Sequence, residues 1–406
     1  MRKILLNIII IFILLIGFAV IFLSTKGVET NKFSSIINKK VNEFDKNLIS
    51  NVDKVKIKLD FKKLNFFLQT KNIEINYFNS IIPLKEIRAN IPFDSITGNN
   101  KRIEKIFLSS DELNIKEFKK FIVNVKPSNF KSFVLNNIQS GKIKSNLGIL
   151  FSEKMKILDY ELDGYVRDLE GKAGSFEVLN TNFIYFIKND NGSLSDITTD
   201  INGIPINSGQ IKFEKKKEIN LQLNFQTNLS LNEKQIKKDF INLKNDFLKN
   251  PLKVETKLKH SFEAIFDKNF KIKDYKYEIK GEIENGNVKF FKPLKNPILT
   301  NDILKISLKD SKITFIQKFN KDKTILLEGK QCINQNNFEK YVIQIIEKNK
   351  KKFIDLDFDL SETLQIPIIN YKKENKEPSN IKTKIVIDNK TYLIDQFLFK
   401  ANKSKI

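Results

Sequence analysis

Few side chains in this sequence have the type and spacing needed for chemistry. Its single histidine, His260, stands between Lys259 and Ser261, without the spacing of a metal site or of a nucleophile with its base. Its single cysteine, Cys332, has no second cysteine with which to form a metal motif, a redox motif or an internal disulfide. We therefore expect His260 to be a solvated strand residue and Cys332 to take no part in catalysis.

Three aspartates, Asp355, Asp357 and Asp359, have the spacing that opens a calcium-binding loop. The rest of the loop does not follow, because Leu360 stands where glycine is needed and Ile366 where a glutamate would bind the ion. On a β-strand these aspartates would share the solvent-facing side. The glycine-rich motifs that bind phosphate or dinucleotides are also absent from the sequence. The sequence thus predicts no enzyme, no catalytic residue, no metal site and no cofactor.

The charge of the chain is strongly positive, with 71 lysine and arginine residues against 48 aspartate and glutamate residues. A net charge of +23 can attract nucleic acid or anionic lipid head groups. The lysines are spread between apolar residues instead of forming a stripe, and the basic motifs of nucleic-acid-binding modules are missing from the sequence. We predict no nucleic-acid partner.

An apolar segment, residues 4–23, follows the basic residues Arg2 and Lys3. As a helix it would be about 30 Å long, which matches the hydrocarbon core of a bilayer. It is too long for a cleaved signal peptide, so it predicts an uncleaved anchor over residues 1–26, with the N-terminus in the cytoplasm and a single crossing. The predicted anchor residues are Ile4, Leu5, Leu6, Ile8, Ile9, Ile10, Ile11, Phe12, Ile13, Leu14, Leu15, Ile16, Phe18, Val20, Ile21, Phe22 and Leu23.

Alternation of apolar and polar residues dominates the rest of the chain. It is clearest over residues 219–231, where apolar residues and one threonine occupy the odd positions and asparagine, glutamine or serine the even ones. This pattern is typical of a half-buried β-strand, and 13 residues would extend about 43 Å. Shorter runs of the same kind begin at Val55, Leu304, Ile313 and Ile354. The fold is therefore predicted to be mainly β.

Residues that favour turns separate these runs, which indicates an antiparallel meander. They are Gly98-Asn99-Asn100, Ser140-Gly141, Asn191-Gly192, Asn285-Gly286-Asn287 and Asp388-Asn389. Two segments have helical spacing instead, and they predict amphipathic helices that cover a sheet face or an open end. One is Ile236–Leu248, which follows the cap residue Asn232, and the other is Phe338–Ile346.

A weak internal repeat supports an elongated antiparallel sheet made of repeating strand pairs. The pattern from Phe151 to Gly164 recurs from Phe266 to Gly281, at an offset of 115 residues that grows to 117. Repeat units are expected near residues 140–230 and 255–330.

Several segments carry a family resemblance. Behind the predicted anchor, residues 27–33 combine a glycine, an acidic residue and a phenylalanine, and residues 73–96 place a proline-leucine-lysine sequence between short strands. Strands that end in glycine recur at Tyr160–Gly164 and Tyr277–Gly281. In these features the chain resembles the AsmA-like bridge proteins of the Gram-negative cell envelope.

The resemblance implies a single-pass protein of the bacterial inner membrane whose β-rich region, residues 27–406, lies in the periplasm. It further implies that the sheet forms a groove, apolar inside, which binds phospholipids or conducts them passively between the inner and outer membranes. The implied partners are phospholipids, the inner membrane, and periplasmic or outer-membrane envelope proteins. Candidate groove residues are Val55, Ile57, Leu59, Phe61, Ile219, Leu221, Leu223, Phe225 and Leu229.

The apolar sheet face leaves other readings open, because it must be covered either by lipid or by protein. If helices or a second sheet cover it, the same residues form an ordinary core. The chain would then be a non-enzymatic structural or assembly module for outer-membrane biogenesis, binding partner strands at its sheet edges. An envelope hydrolase, in contrast, would need a polar pocket in which titratable groups converge.

Overall fold

The computed structural model of this chain is built almost entirely from antiparallel strands. The residues that it describes are 2–31, 34–44, 48–60, 65–77, 80–92, 102–124, 126–154, 156–231, 248–267, 271–294, 299–334, 337–349, 351–366, 370–373, 377–388, 391–401 and 404–405. Within these ranges 22 strands belong to one sheet, and two further strands form a separate pair. The prediction of a mainly β protein with a long antiparallel sheet and few helices is confirmed.

Residues Met1–Ser195 and Asp196–Ile406 form two compact units. The helices of the described residues are α1 (Arg2–Thr25), α2 (Ser34–Phe44), α3 (Ile115–Ile122) and α4 (Asn129–Asn137), all in the first unit. The first unit also contains β1 (Val28–Thr30), β2 (Leu48–Ser50), β3 (Val55–Asp60), β4 (Asn65–Tyr77), β5 (Ser80–Ile91), β6 (Lys105–Ser110), β7 (Leu113–Asn114), β8 (Ile138–Phe151), β9 (Ile157–Ala173) and β10 (Phe176–Lys188).

The boundary between the two units falls within β11 (Asn191–Ile201). The second unit contains β12 (Ile204–Lys215), β13 (Ile219–Leu231), β14 (Leu248–Phe266), β15 (Ile272–Leu294), β16 (Ile303–Lys318), β17 (Lys323–Ile333), β18 (Glu339–Lys348), β19 (Lys351–Leu360), β20 (Leu364–Ile366), β21 (Tyr371–Lys373), β22 (Ser379–Asp388), β23 (Thr391–Ala401) and β24 (Ser404–Lys405).

Helix α1 ends at a glycine. The backbone N–H groups of Lys26 and Gly27 both donate to the Phe22 carbonyl oxygen at 2.9 Å, and Gly27 has a φ of 70°. A Cβ atom on Gly27 would also lie 2.6 Å from the Ile57 carbonyl oxygen, so glycine is needed both for the backbone angle and for the close approach. The side chains of the predicted anchor residues Ile4, Leu5, Leu6, Ile8 and Ile9 lie outside the described part. Among the described residues, no helix combines the length and the apolar character that crossing a membrane requires.

The N-terminal strands of the first unit enclose a core. Its buried side chains are Val52, Val55, Leu68, Ile73, Ile75, Leu84, Ala89 and Ile91. Helix α2 covers them, because Ile37 packs against the cluster and Asn38 accepts hydrogen bonds from Ser50 Oγ at 2.8 Å and from the Val52 N–H at 3.1 Å. This part of the sheet is therefore filled by protein side chains.

The strands of the second unit pair in sequence order from β12 to β19. The order then continues with β22 beside β19 and β23 beside β22. This consecutive pairing is the predicted meander. A buried core cluster lies on β19, β20, β22 and β23, formed by Leu360, Leu364, Ile381, Phe399 and Ala401.

One of the two predicted helices is wrong, and the other is not covered by the structure. Residues 339–348 form strand β18, because β17 and β19 pair with it on both sides over its length. Residues 232–247, which hold most of the other predicted helix, lie outside the described residues. Its last residue, Leu248, already belongs to β14.

Two of the predicted turns are also wrong. Ser140-Gly141 lies inside β8 and Asn285-Gly286-Asn287 lies inside β15, beside shifts in strand register that mark β-bulges. Asp388, in contrast, ends β22 and pairs with Thr391 on the next strand, while Asn389 of this predicted turn lies outside the described residues. Asn191 already belongs to β11, one residue after the turn at 189–190, and residues 98–100 lie outside the described part.

The sequence repeat corresponds to two hairpins, β8–β9 and β14–β15. Phe151 pairs with Ile157 in the first hairpin, and Phe266 pairs with Ile272 in the second. The same backbone hydrogen bond closes both loops. The Ser152 N–H donates to the Lys156 carbonyl oxygen at 2.8 Å, and the Asp267 N–H donates to the Lys271 carbonyl oxygen at 2.9 Å. In return, the Ser152 side chain accepts a hydrogen bond from the Lys156 N–H, and the Asp267 side chain accepts one from the Lys271 N–H. The repeated sequence therefore specifies a repeated local structure.

Candidate functional site

Strand β13 has two faces of different chemistry. Ile219, Leu221, Leu223 and Phe225 are half-buried on one face, and Asn220, Gln222, Asn224 and Gln226 are exposed on the other. Thr227 continues the first face and is only 3% exposed. The side chain of Leu229 lies outside the described residues.

A row of mainly apolar side chains continues from Phe225 across the neighbouring strands. Successive cross-strand partners in this row are Phe225, His260, Ile279, Phe315, Ile325, Ile345, Ile354 and Ile385. Every one of them is half-buried. We call the side of β13–β19 and β22 that carries this row the apolar face.

The second unit, which carries the apolar face, contains no helix among its described residues. The buried cluster around Leu364 and Phe399 fills only the part next to β20 and β21. Over β13–β18 the side chains of the row are half-buried. A sheet face of this kind is able to bind an apolar ligand along its surface.

Aromatic rings are concentrated on the apolar face of β13–β16. Ring centroids lie 6.1 Å apart for Phe262 and Tyr275, 5.7 Å for Tyr277 and Phe315, and 5.6 Å for Tyr275 and Phe319. These are ordinary distances for interacting aromatic pairs. Sequence reasoning missed this aromatic cluster, although the alternation of Tyr275 and Tyr277 with lysine and glutamate is a period-two signal.

His260 lies within this aromatic cluster. Its ring stacks on Phe225 with centroids 4.3 Å apart, its Nε2 lies 3.2 Å from Thr227 Oγ1, and its Nδ1 lies 2.9 Å from the Tyr277 hydroxyl. Burial lowers the pKa of His260 from 6.5 to about 4, so the imidazole is neutral at pH 7. The expectation of a solvated histidine is wrong, because the register of β13 and β14 places His260 on the apolar face.

The opposite face is polar and contains a cavity of about 630 Å³. It is lined mainly by side chains such as Gln210, Asn224, Gln226, Lys259 and Ser261. Glu278 in this cavity has a lowered pKa, because it accepts hydrogen bonds from Lys276, at 2.6 Å, and from Lys280. Glu278 is thus held as a carboxylate between two lysines.

Comparisons of the chain with protein-family models, curated proteins and solved structures find no match.

The candidate groove residues of the first unit are placed differently from those of β13. Val55 is 1% exposed and belongs to the core under α2, and Ile57 packs against that core. Leu59 is half-buried, and Phe61 lies outside the described residues. A side chain enclosed like Val55 cannot contact a ligand, whereas the candidates described on β13 are half-buried and accessible.

Two aspartates of β19 and the single cysteine are engaged in hydrogen bonds or buried within the fold. Asp357 and Asp359 accept hydrogen bonds from Asn380 Nδ2 at 2.7 and 2.9 Å, and Asp357 pairs with Lys382 at 2.6 Å. Partial burial raises the pKa of Asp357, but these hydrogen bonds outweigh it and the pKa falls below its usual value. Cys332 is 2% exposed. Within the described part of the chain, no cluster of potential metal ligands occurs.

Proposed function

We propose that the chain is a membrane-anchored periplasmic protein of the AsmA-like type, which binds phospholipids on the apolar face and conducts them passively between the inner and outer membranes. The observation that carries this proposal is the half-buried apolar row from Phe225 to Ile385, in a unit that has no helix among its described residues. Apolar surface of this extent on a folded sheet typically marks a binding site.

The dimensions of the apolar face fit an acyl chain. The part of the row from Phe225 to Ile354 crosses seven strands, β13–β19, and therefore about 29 Å at the usual strand spacing of about 4.8 Å. Each methylene group removed from water contributes about 0.8 kcal/mol. Apolar contact alone can therefore hold an acyl chain, and movement along the row needs no chemical step.

Helix α1 supports the membrane location. Its large apolar side chains from Ile10 to Phe22 are exposed, with Leu14 67% and Phe18 71% accessible. Side chains of this kind on all sides of a helix suit a lipid environment. On this ground we propose that α1 forms part of the single-pass inner-membrane anchor predicted over residues 1–26, with the N-terminus in the cytoplasm.

The test is native mass spectrometry of the full-length chain purified in mild detergent. Phospholipids should remain bound to the wild-type protein. The double variant Leu223→Asp/Phe225→Asp should lose them, because two carboxylates on the apolar face cannot be paired or solvated beside an acyl chain. The matched control is Asn224→Asp/Gln226→Asp, which places the same charges on the opposite face of β13 and should retain lipid.

A second measurement guards against misfolding of the double variant. A photoreactive benzophenone amino acid at position 223 should crosslink to phospholipid, and the same amino acid at position 224 should not. A lipid-free wild-type protein, or equal crosslinking from both positions, would contradict the proposal.

The edge strand β23 favours a second candidate function, an assembly module. Residues 391–399 pair with β22 and with no other described strand, and Tyr392, Leu393 and Ile394 are 61–75% exposed. An unpaired apolar edge is suited to accept a strand of a partner protein. A folded, lipid-free chain in the experiment above would favour this candidate.

A further inference from the structure

Three polar side chains lie together on the apolar face of β13, β14 and β15. Thr227, His260 and Tyr277 form a continuous hydrogen-bonded trio through the two imidazole nitrogens, at 3.2 and 2.9 Å. The positions around them on the same face are apolar, with Phe225, Leu258 and Ile279 next to them across or along the strands. The trio is thus a polar site within an apolar surface.

Counting hydrogen atoms shows that the trio has a donor to spare. A neutral imidazole carries one N–H and one acceptor nitrogen, and each hydroxyl carries one hydrogen. The two hydrogen bonds to His260 use two of these three hydrogens in either tautomer. One hydroxyl hydrogen is therefore left over, and within the described residues neither hydroxyl has another hydrogen-bond partner.

Accessibility decides which hydroxyl offers that hydrogen to a ligand. Thr227 is 3% exposed, whereas Tyr277 is half-buried and borders the accessible surface. The consistent arrangement has Thr227 donating to Nε2, Nδ1–H donating to the Tyr277 oxygen, and the Tyr277 O–H pointing to the ligand. The tautomer of His260 then fixes the direction of both hydrogen bonds within the trio and leaves the Tyr277 O–H free to donate to the ligand.

The chemistry of the acceptor follows from the surroundings. Among the described residues, Lys323 lies near these rings, 5.8 Å from the centre of the Phe315 ring, and it is paired with Glu347 at 3.3 Å. In this part of the chain, an anionic phosphate beside the trio would meet a cation that is already paired. A neutral carbonyl oxygen suits a single hydroxyl donor among aromatic rings.

We propose that Tyr277, oriented by His260 and Thr227, binds the ester carbonyl of a diacyl lipid and makes the apolar face selective for ester-linked over ether-linked chains. The inference rests on the proposed function and adds its substrate class. The carbonyl marks the junction between the acyl chain and the polar head, so this hydrogen bond would fix where along the row that junction lies.

The test is a competition between two phosphatidylcholines of equal chain length, one with ester-linked and one with ether-linked chains, for the full-length chain in mild detergent. Native mass spectrometry should show a preference of about fivefold for the ester lipid, the usual effect of one neutral hydrogen bond. Tyr277→Phe should abolish the preference while both lipids still bind. The matched control is Tyr165→Phe in the first unit, whose hydroxyl hydrogen is already donated to Glu112 at 3.0 Å and which should leave the preference unchanged.

An independent measurement uses the ester lipid labelled with carbon-13 at the carbonyl. Its infrared stretching frequency should fall on binding to the wild type and not on binding to Tyr277→Phe. Equal binding of both lipids by the wild type, or an unchanged preference in Tyr277→Phe, would overturn the inference and leave the proposed function standing. Failure of both lipids to bind the wild type would instead overturn the proposed function, and this inference with it.

Discussion

Acid should destabilise this protein through His260. Between about pH 6.5 and 4, a histidine in the unfolded chain takes up a proton, whereas folded His260, with its pKa lowered to about 4, stays neutral. The unfolded state then binds more protons, so stability rises with pH in this window. The contribution is fully present above about pH 6.5 and is lost as pH falls towards about 4.

The size of this loss of stability follows from the shift in the pKa of His260. If the whole shift is realised, lowering the pH from 7.5 to 5.0 removes about 2 kcal/mol of unfolding free energy. The ring is only partly enclosed, and solvent screening reduces the value, so we expect about 1 kcal/mol. The variant His260→Gln cannot take up this proton and should lack this part of the pH dependence.

The assay is urea unfolding of the full-length chain in mild detergent, followed by far-ultraviolet circular dichroism, at pH 7.5 and 5.0. The difference in unfolding free energy between the two pH values should be about 1 kcal/mol larger for the wild type than for His260→Gln. Lys259→Gln, on the opposite face of the same strand, should behave as the wild type. Equal pH dependence in wild type and His260→Gln would refute the burial of a neutral imidazole.

Two further predictions concern packing. Gly281→Ala should lower the unfolding free energy by about 1–3 kcal/mol, because the added Cβ would lie 2.5 Å from Leu258 Cδ2 and would overlap the Lys257 carbonyl oxygen. Gly286→Ala on the same strand should not destabilise, because its Cβ would lie 3.4 Å from its nearest neighbour. Equal urea midpoints for the two variants would contradict this. Leu364→Ala, at a position 0% exposed, should lower the unfolding free energy by about 2–5 kcal/mol in a thermal unfolding experiment. The control Leu304→Ala, at a position 54% exposed, should change it by less than about 0.5 kcal/mol. A similar loss of stability in both variants would show that Leu364 is not a core residue.

The two faces of β13 could be predicted from sequence because alternation along one strand is a local property. Strand β18 could not be recognised in the same way. Tyr341, Val342 and Ile345 fit helical spacing, while Tyr341, Ile343 and Ile345 fit a strand equally well. What decides is the pairing of Ile345 with Ile325 and Ile354, which lie on other strands.

The polar trio was beyond sequence reasoning for a related reason. Thr227 and His260 are 33 residues apart, and His260 and Tyr277 are 17 apart. Their contact depends on the register of three strands, and a shift of one residue would turn His260 to the polar face. The mistaken turns at Gly141 and Gly286 have a similar origin, since residues that favour turns also favour bulges inside long strands.

Consecutive pairing of β12 to β19 has a consequence for the order in which the chain folds. Each of these strands needs only its predecessor as a template, so the closing contacts are short-range in sequence and the entropy lost at each step is small. The second unit can therefore form strand by strand as the chain is delivered from its N-terminal end, before its last strands are available. Until the next strand pairs, the last strand of the growing sheet exposes unpaired backbone N–H and C=O groups. The rate at which the chain is delivered therefore determines how long this edge strand can pair with other chains and aggregate.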